Sequence, residues 1–495
     1  MMPLLGQLMR TLCYPERRCR YDQGVPTPKT VMRILAASAV GLVLLLGLLV
    51  AALYARPPAL LRVAANYSAK IVCSNVFLAA RDPEEVLRDD VQSDGIAVLR
   101  LMRISVDRDR QLVHAGLLGF LGDGLAVARP GEGCAVLADG KLAPRARAPA
   151  GGGSAVAGAT ATAANATDAP WPEGSTVGPE DPRLAAVIGD PRLAGPGVRA
   201  IIVVHGGRVV AERYAQGMTA DTPLLGWSMA KSVTAGLIGI LVKDGRLALD
   251  GSAGWPAAPG DGRSQIKLAD LLAMTSGLHF DEQYAAVTDV TRMLYLEPDM
   301  AAFARAQPLD HPVGSVWSYS SGTAVILARL MQDAAGVPGP VFARMRLFEP
   351  LGMRSALIET DERGTLVGSS YMYATARDWA RYGLFLLQGG VWQGEALLPP
   401  AYVAMMATPV AASGGRYGHG QVWLWGSDPD RATPSVNPDQ AFGIPGDTFW
   451  MEGHDGQSIA VIRSHALVVV RLGLTPHAAG YRPQALVQAV LRALG

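Results

Sequence analysis

Trp227-Ser228-Met229-Ala230-Lys231-Ser232-Val233-Thr234-Ala235-Gly236-Leu237-Ile238-Gly239-Ile240-Leu241 is the stretch whose reading decides the fold of this chain. After Lys231 the apolar residues Val233, Leu237, Ile238, Ile240 and Leu241 recur at helical spacing, which predicts a mostly buried helix with Ser228 in its first turn. Residues three apart share a helical face, so the Ser228 hydroxyl and the Lys231 amine point the same way. A serine with an amine one turn later is a nucleophile beside a proton acceptor; a serine helix cap with a surface lysine is the plainer reading of the same spacing. Among only six lysines the S-x-x-K spacing also occurs in Ser264-Gln265-Ile266-Lys267. That copy follows Pro259-Gly260-Asp261-Gly262-Arg263, turn chemistry that gives Ser264 and Lys267 no rigid helical face in common.

Around this helix the composition narrows the possibilities. The 495 residues leave room for two or more domains, and a formal net charge of +1 argues against a nucleic-acid partner. Residues 1–31 form a basic tail, with Arg10, Arg17, Arg18, Arg20 and Lys29 against Glu16 and Asp22. Residues 32–54 carry no charge except Arg33. About 23 residues make roughly 35 Å of helix, enough to cross a bilayer. The basic flank stays in the cytoplasm, so the expectation is a single-pass inner-membrane anchor that leaves everything after it on the periplasmic side. A cleavable export signal ending near Ala55 is the alternative. Cys13 and Cys19 then lie inside, whereas Cys73 and Cys134 lie where thiols can oxidise and are a candidate disulfide. The eight histidines are scattered and form no H-E-x-x-H, so no metal is expected.

Residues 55–143 read as an exported accessory region whose apolar pieces, 71–78 and 95–101, are strands or short buried helices. Residues 144–180 shift to Ala, Gly, Thr and Pro and read as a linker. The catalytic domain is expected over 181–495. Its β-rich runs 198–204 and 208–214 flank His205-Gly206-Gly207, a hairpin signal. Runs 458–464 and 466–472 read as further strands and 484–494 as a last amphipathic helix. Strands at both ends with helices between them predict one antiparallel sheet crossed by a helical insertion, an α+β architecture.

Two further pieces carry chemistry. Trp317-Ser318-Tyr319-Ser320-Ser321-Gly322 opens another apolar helix. There Tyr319 would share a proton with Lys231, the nearby ammonium easing ionisation of the phenol, while Ser321 would either hydrogen-bond the lysine or cap the helix. Glu452-Gly453-His454-Asp455-Gly456-Gln457 precedes a strand, and a glycine-lined strand edge can offer N–H groups to an oxyanion.

In the order S-x-x-K, Y-x-S and H-x-G, these pieces resemble the serine β-lactamase and penicillin-recognising superfamily, above all its class C-like esterases and amide hydrolases of the 6-aminohexanoate-dimer hydrolase type. The resemblance runs over about 199–473 and includes Leu271-Leu272-Ala273-Met274-Thr275-Ser276-Gly277-Leu278 and Ala374-Thr375-Ala376-Arg377-Asp378-Trp379-Ala380-Arg381. It implies an antiparallel sheet flanked by helices, an α/β sandwich with a helical subdomain. It also implies Ser228 as acylated nucleophile, Lys231 as its proton acceptor and Tyr319 as the partner that activates attack and protonates the leaving group. The N–H groups of Ser228 and Gln457, or Gly456 in place of Gln457, would form the oxyanion hole, and Tyr284 would face the substrate. No cofactor is implied. Two departures stand out: Ser321 replaces an asparagine, and His454 replaces the lysine that binds a carboxylate in β-lactamases. A neutral histidine binds a carboxylate less well, so the expected substrate is an ester or unconventional amide, small or peptidic, rather than a β-lactam. A D-amino-acid peptidase or transpeptidase of cell-wall peptide and a catalytically silent binding protein are the alternatives. Oligomeric state is not encoded in these motifs.

Overall fold

The computed structural model describes residues 28–139, 168–284, 286–430 and 435–495. It contains two compact units, 1–56 and 57–495. In the first, the apolar run is a single helix, α1 (Pro28–Ala55), long and apolar enough to cross a membrane. A signal sequence near an N-terminus would pass the same test. The tail ahead of it, with Cys13 and Cys19, lies outside the described residues.

The second unit begins with α2 (Ala59–Ala79), against which four strands form an antiparallel meander: β1 (Met102–Asp107), β2 (Leu112–Leu117), β3 (Leu121–Arg129) and β4 (Gly133–Val136). Of the alternatives expected at 71–78 the structure shows buried helix, though part of a long one, and the expectation at 95–101 is corrected. One long helix covers the first, and the second is mostly irregular with a single tight turn at Leu99–Leu101. The reason is that α2 buries Asn66, Ser68, Lys70, Ser74 and Asn75 as well as its apolar residues, which blurs the hydrophobic period. β3 crosses α2 at Gly124, where a Cβ would sit 2.3 Å from the carbonyl carbon of Ala65. Only glycine permits that approach. Cys73 of α2 and Cys134 of β4, both fully buried, are disulfide-bonded.

The main sheet is built from the two ends of the remaining chain. It contains β5 (Val198–His205), β6 (Arg208–Tyr214), β7 (Thr448–Gly453), β8 (Gln457–Ile462) and β9 (Leu467–Gly473), in the order β7-β8-β9-β5-β6 with every neighbour antiparallel. β5 turns into β6 through Gly206 and Gly207, both at positive φ, as a two-residue hairpin requires. The helices that matter below are α3 (Pro182–Gly189), α4 (Met229–Lys243), α5 (Ser321–Ala335), α6 (Ala376–Leu387) and α7 (Pro483–Leu494). Side chains alternate across the sheet. Ile201, Val203, Ala460 and Val469 face a core shared with Leu184 and Ile188 of α3 and Leu486, Val487 and Val490 of α7. Val468 and Ile459 face α6, whose Gly383 lets it sit so close that a Cβ would lie 2.6 Å from Val468. Buried on both faces, these strands read as continuous apolar runs. The fold is α+β, with antiparallel sheets, helices on both faces of the main one and a largely helical insertion between β6 and β7.

The accessory region shares an interior with the main domain. Lys70 is ion-paired with Glu359, their side chains 3% and 0% exposed, and the Lys70 ammonium also donates to the Cys134 carbonyl at 2.6 Å. Glu359 accepts further from Ser74 Oγ at 2.9 Å and from the Cys134 N–H at 2.6 Å. Asn66 donates to the Tyr295 carbonyl at 2.7 Å, and Arg129 to that of Asp361 at 2.6 Å. Of the stretch 144–180, residues up to 167 lie outside the described part, while residues 171–175 meet α6 and Glu180 meets β6. Trp171 is buried under the Arg381 guanidinium, which donates to the carbonyls of Pro172 and Gly174 at 2.9 and 2.6 Å.

Removing one partner of a fully buried ion pair strands the other, at a cost of about 3–5 kcal/mol, whereas an exposed pair contributes about 0–1 kcal/mol. Glu359→Ala should therefore lower the unfolding free energy in a denaturant titration by about 3–5 kcal/mol. Asp244→Ala, which breaks the partly exposed pair with Arg346, should change it by no more than about 1 kcal/mol. Equal effects would show that Glu359 does not hold the two regions together.

Candidate active site

Ser228 stands at the N-cap of α4 in helical conformation, and its side chain makes no capping bond. The hydroxyl is therefore not consumed in ending the helix. Trp227 before it has φ +47°, a left-handed conformation that costs a bulky residue on the order of 1–3 kcal/mol and persists where packing enforces it. Here Trp227 is 5% exposed, between Tyr371 and His454 at ring separations of 5.5 and 5.7 Å. Gly226 fits under Trp379, where a Cβ would come within 2.2 Å of the indole. The tight turn presents Ser228 from a rigid base.

One turn on, Lys231 is 1% exposed, and its amine reaches Ser228 Oγ at 3.1 Å, Ser321 Oγ at 3.1 Å and the Ser369 carbonyl at 2.9 Å. Burial brings its pKa down to about 8, with the Glu282 carboxylate pulling the other way. About a tenth of the lysine is then neutral at pH 7, enough to accept a proton from the serine. Ser321 proves to be a hydrogen-bond partner of the lysine, and the capping role belongs to Ser320, whose hydroxyl accepts from the Thr323 N–H at 3.0 Å.

Ser321 also passes the lysine's contact onward. Its hydroxyl donates to Glu282 at 2.5 Å and its N–H at 2.7 Å. Glu282 is the group that motif reading missed, although it lies two residues before Tyr284 in the same loop. Burial raises the Glu282 carboxyl above its ordinary range, and the Lys231 charge and the Ser321 bonds oppose that rise. Amine, hydroxyl and carboxylate thus form a chain behind the nucleophile.

Tyr319 closes the other side of Lys231, its ring centroid 4.7 Å from the amine. Trp423 stacks on the ring at 5.3 Å and Tyr417 meets it edge-on at 6.0 Å. The expectation that the ammonium would ease ionisation of the phenol is corrected. Burial, reinforced by the Glu282 charge, holds Tyr319 well above the usual tyrosine range, with only its contact to the Ser228 side chain acting the other way. A phenol kept protonated is a proton donor, not a base.

The turn after β7 completes the cleft. A Cβ on Gly453 would lie 2.2 Å from the Gly226 carbonyl oxygen, so these two glycines let the turn approach the loop that carries Ser228. Gln457 begins β8, and its side chain is committed to the backbone, accepting from the Gly473 N–H at 2.8 Å and donating to the His454 carbonyl at 3.1 Å. Gly456 has its carbonyl held by buried Arg471 at 2.9 Å. These anchors fix the backbone path on which an oxyanion donor at either residue would depend. His454 is exposed, 3.4 Å from Asp455, and Tyr284 stacks on its ring at 5.5 Å. Glu452 accepts from the Ser427 N–H at 2.7 Å, and burial raises it to about 8.

The structure thus gathers Ser228, Lys231, Tyr319, Ser321, Tyr284 and His454 around one cleft, with Gly456 and Gln457 in the turn at its edge. The second S-x-x-K does not join it. Lys267 is exposed at the start of a short helix. Among the described residues no cluster of His, Cys, Asp and Glu is arranged to hold a metal ion.

Residues 190–492 match the model of the beta-lactamase family. A 6-aminohexanoate-dimer hydrolase of Paenarthrobacter ureafaciens is 27% identical over 221 residues, 41% of this chain and 55% of that protein. The chain therefore spans about half the length of the curated relative it matches. Among solved structures, a penicillin-binding protein homologue from Caulobacter crescentus is 19% identical with a TM-score of 0.49, over 64% of this chain and 99% of that one. A beta-lactamase from Mycobacterium bovis is 19% identical with a TM-score of 0.44, over 63% and 99%.

With six lysines in the chain, the Cε resonance of Lys231 can be assigned by substitution and followed by NMR. Its midpoint should fall near pH 8. Since the Glu282 charge raises that pKa, Glu282→Gln should move the midpoint lower still. A midpoint near the ordinary 10.5, or an upward shift in the variant, would contradict the arrangement.

Proposed function

The chain belongs to the beta-lactamase family, a family of hydrolases, and on that premise we propose that it is an exported serine hydrolase cleaving an ester or unconventional amide through an acyl-enzyme on Ser228. The observation that carries the reading is a buried Lys231 amine at 3.1 Å from both Ser228 Oγ and Ser321 Oγ, in a pocket that lowers its pKa to about 8.

In this mechanism the neutral amine takes the Ser228 proton as Oγ bonds to the substrate carbonyl carbon. The oxyanion that forms receives the backbone N–H groups of Ser228 and of Gln457 or Gly456. As the tetrahedral species collapses, the bond to the leaving alcohol or amine breaks. Tyr319 donates its proton to that group and regains one from the Lys231 ammonium. Water then attacks the acyl carbon, passes a proton back through the same pair, and the acid departs from Ser228. Glu282 holds Ser321 and tempers the fall of the lysine pKa. Resemblance to a 6-aminohexanoate-dimer hydrolase keeps amides beside esters as substrates, and exposed His454 offers no lysine ammonium to a β-lactam carboxylate.

Export is part of the same proposal. α1 would anchor the protein in the inner membrane with the catalytic domain outside the cytoplasm, and a disulfide between Cys73 and Cys134 suits an oxidising compartment. Retention of the protein in carbonate-washed membranes would support the anchor, and its release would favour a cleaved signal.

The hydrolase reading is tested by treating the full-length protein with a fluorophosphonate and mapping the adduct by mass. One adduct on Ser228 is expected. Lys231→Ala should slow its formation by at least about 100-fold, the scale of a lost general base. Modification elsewhere, or none on folded protein, would refute the nucleophile.

A further inference from the structure

Beside the candidate nucleophile lies a cavity of about 80 Å³ whose walls come from two parts of the chain. Leu60 of α2, with Ile96 and Leu99, forms one side, and Trp227, Tyr284 and His454 form the other. The first three belong to the accessory region, outside the residues 190–492 that match the family. Among the described residues that line the cavity there is no acid, lysine or arginine. Leu60 and Ile96 are 49% and 41% exposed and mark its open side, whereas Leu99 and Trp227 are buried at 3% and 5% and close its inner end. Trp227 is the residue before Ser228, and Tyr284 and His454 stack on each other across the same cleft.

We propose that this cavity is a subsite for an unbranched aliphatic arm of the substrate, the acyl chain or the alkyl chain of the leaving group. The wall is largely apolar, its polar groups being the His454 ring and the hydroxyls of Tyr67, Tyr284, Thr291 and Tyr295; it holds no carboxylate, lysine or arginine to meet a charged occupant, and desolvating an unpaired charge is costly. A methylene chain loses nothing by entering and gains its transfer free energy. The volume exceeds what a few waters need and suits a short chain. The proposal rests on the hydrolase reading for which arm enters, but not for the binding itself. It assigns the accessory region a role in substrate choice, since the family-matching residues supply only half of the wall.

The test uses full-length protein in lipid nanodiscs, with empty discs to correct for partitioning. p-Nitrophenyl ethyl, butyl and hexyl ethers cannot be hydrolysed and report binding alone by equilibrium dialysis. Affinity should rise about fourfold per methylene, and the rise should be lost in Leu60→Trp and in Ile96→Trp, both at half-exposed positions that tolerate bulk. Affinity independent of length, or a length dependence that survives both substitutions, overturns the subsite. Hydrolysis of p-nitrophenyl acetate to hexanoate, set against ethyl to hexyl acetate, then tells which arm enters: kcat/KM should climb with length in one series and stay flat in the other. Length-dependent ether binding without turnover of any ester would leave the subsite standing and refute the hydrolase reading.

Discussion

An amine removed from water behind a serine hydroxyl is the constraint from which the rest of the site follows. Ordinary lysine chemistry would keep Lys231 charged, and water would keep it occupied. Here α4 is buried along most of its length, and the amine meets Ser228, Ser321 and the Ser369 carbonyl with the Tyr319 ring beside it. Burial lowers the lysine pKa, and Glu282, reached through Ser321, limits that fall. The apolar shell and the carboxylate thus act in opposite directions on one proton, and their balance lies near neutrality. Tyr319 sits in the same field with the opposite outcome, since burial and the Glu282 charge both favour its protonated form. Base and acid are distinguished by environment rather than by residue type.

Much of this was legible from the residues. The helix after Ser228 announced itself by its apolar spacing, and the glycine pair at 206–207 marked the hairpin between β5 and β6. The strands at the two ends could be read because a sheet buried on both faces leaves unbroken apolar runs such as that of Leu467–Gly473. Ser228, Lys231 and Tyr319 could be placed because their spacing is local or tied to a helix start. What failed to show was set by contacts distant in sequence. Glu282 looked like one more loop acid, and only the fold brings it to Ser321, 39 residues on. Tyr319 was expected to ionise because its amine neighbour could be guessed and its burial could not. The polar residues of α2 carried no sign of their partners Glu359, Tyr295 and Leu125, which only the fold supplies.

The accessory region changes what the domain is. The family-matching part supplies a sheet and the hydrogen-bonded chain of Ser228, Lys231, Ser321 and Glu282. Residues 57–139 add a second small sheet wrapped on α2, stapled by a disulfide and joined through Glu359 to the main interior. Because Glu359 at once accepts from the β4 backbone, the α2 serine and the α2 lysine, it ties two elements to its own segment with one carboxylate. A wall of the cleft can then be built by residues far from the nucleophile in sequence without becoming mobile.

That same carboxylate imposes an order of events on the living chain. Lys70 and Glu359 are 289 residues apart, and at about 5–20 residues per second the lysine is made roughly 15–60 s before its partner exists. Until then Lys70 has no carboxylate to meet, and burying its charge unpaired is unfavourable. Packing of the accessory region is therefore completed by a residue made long after it, so its interior depends on the domain that follows.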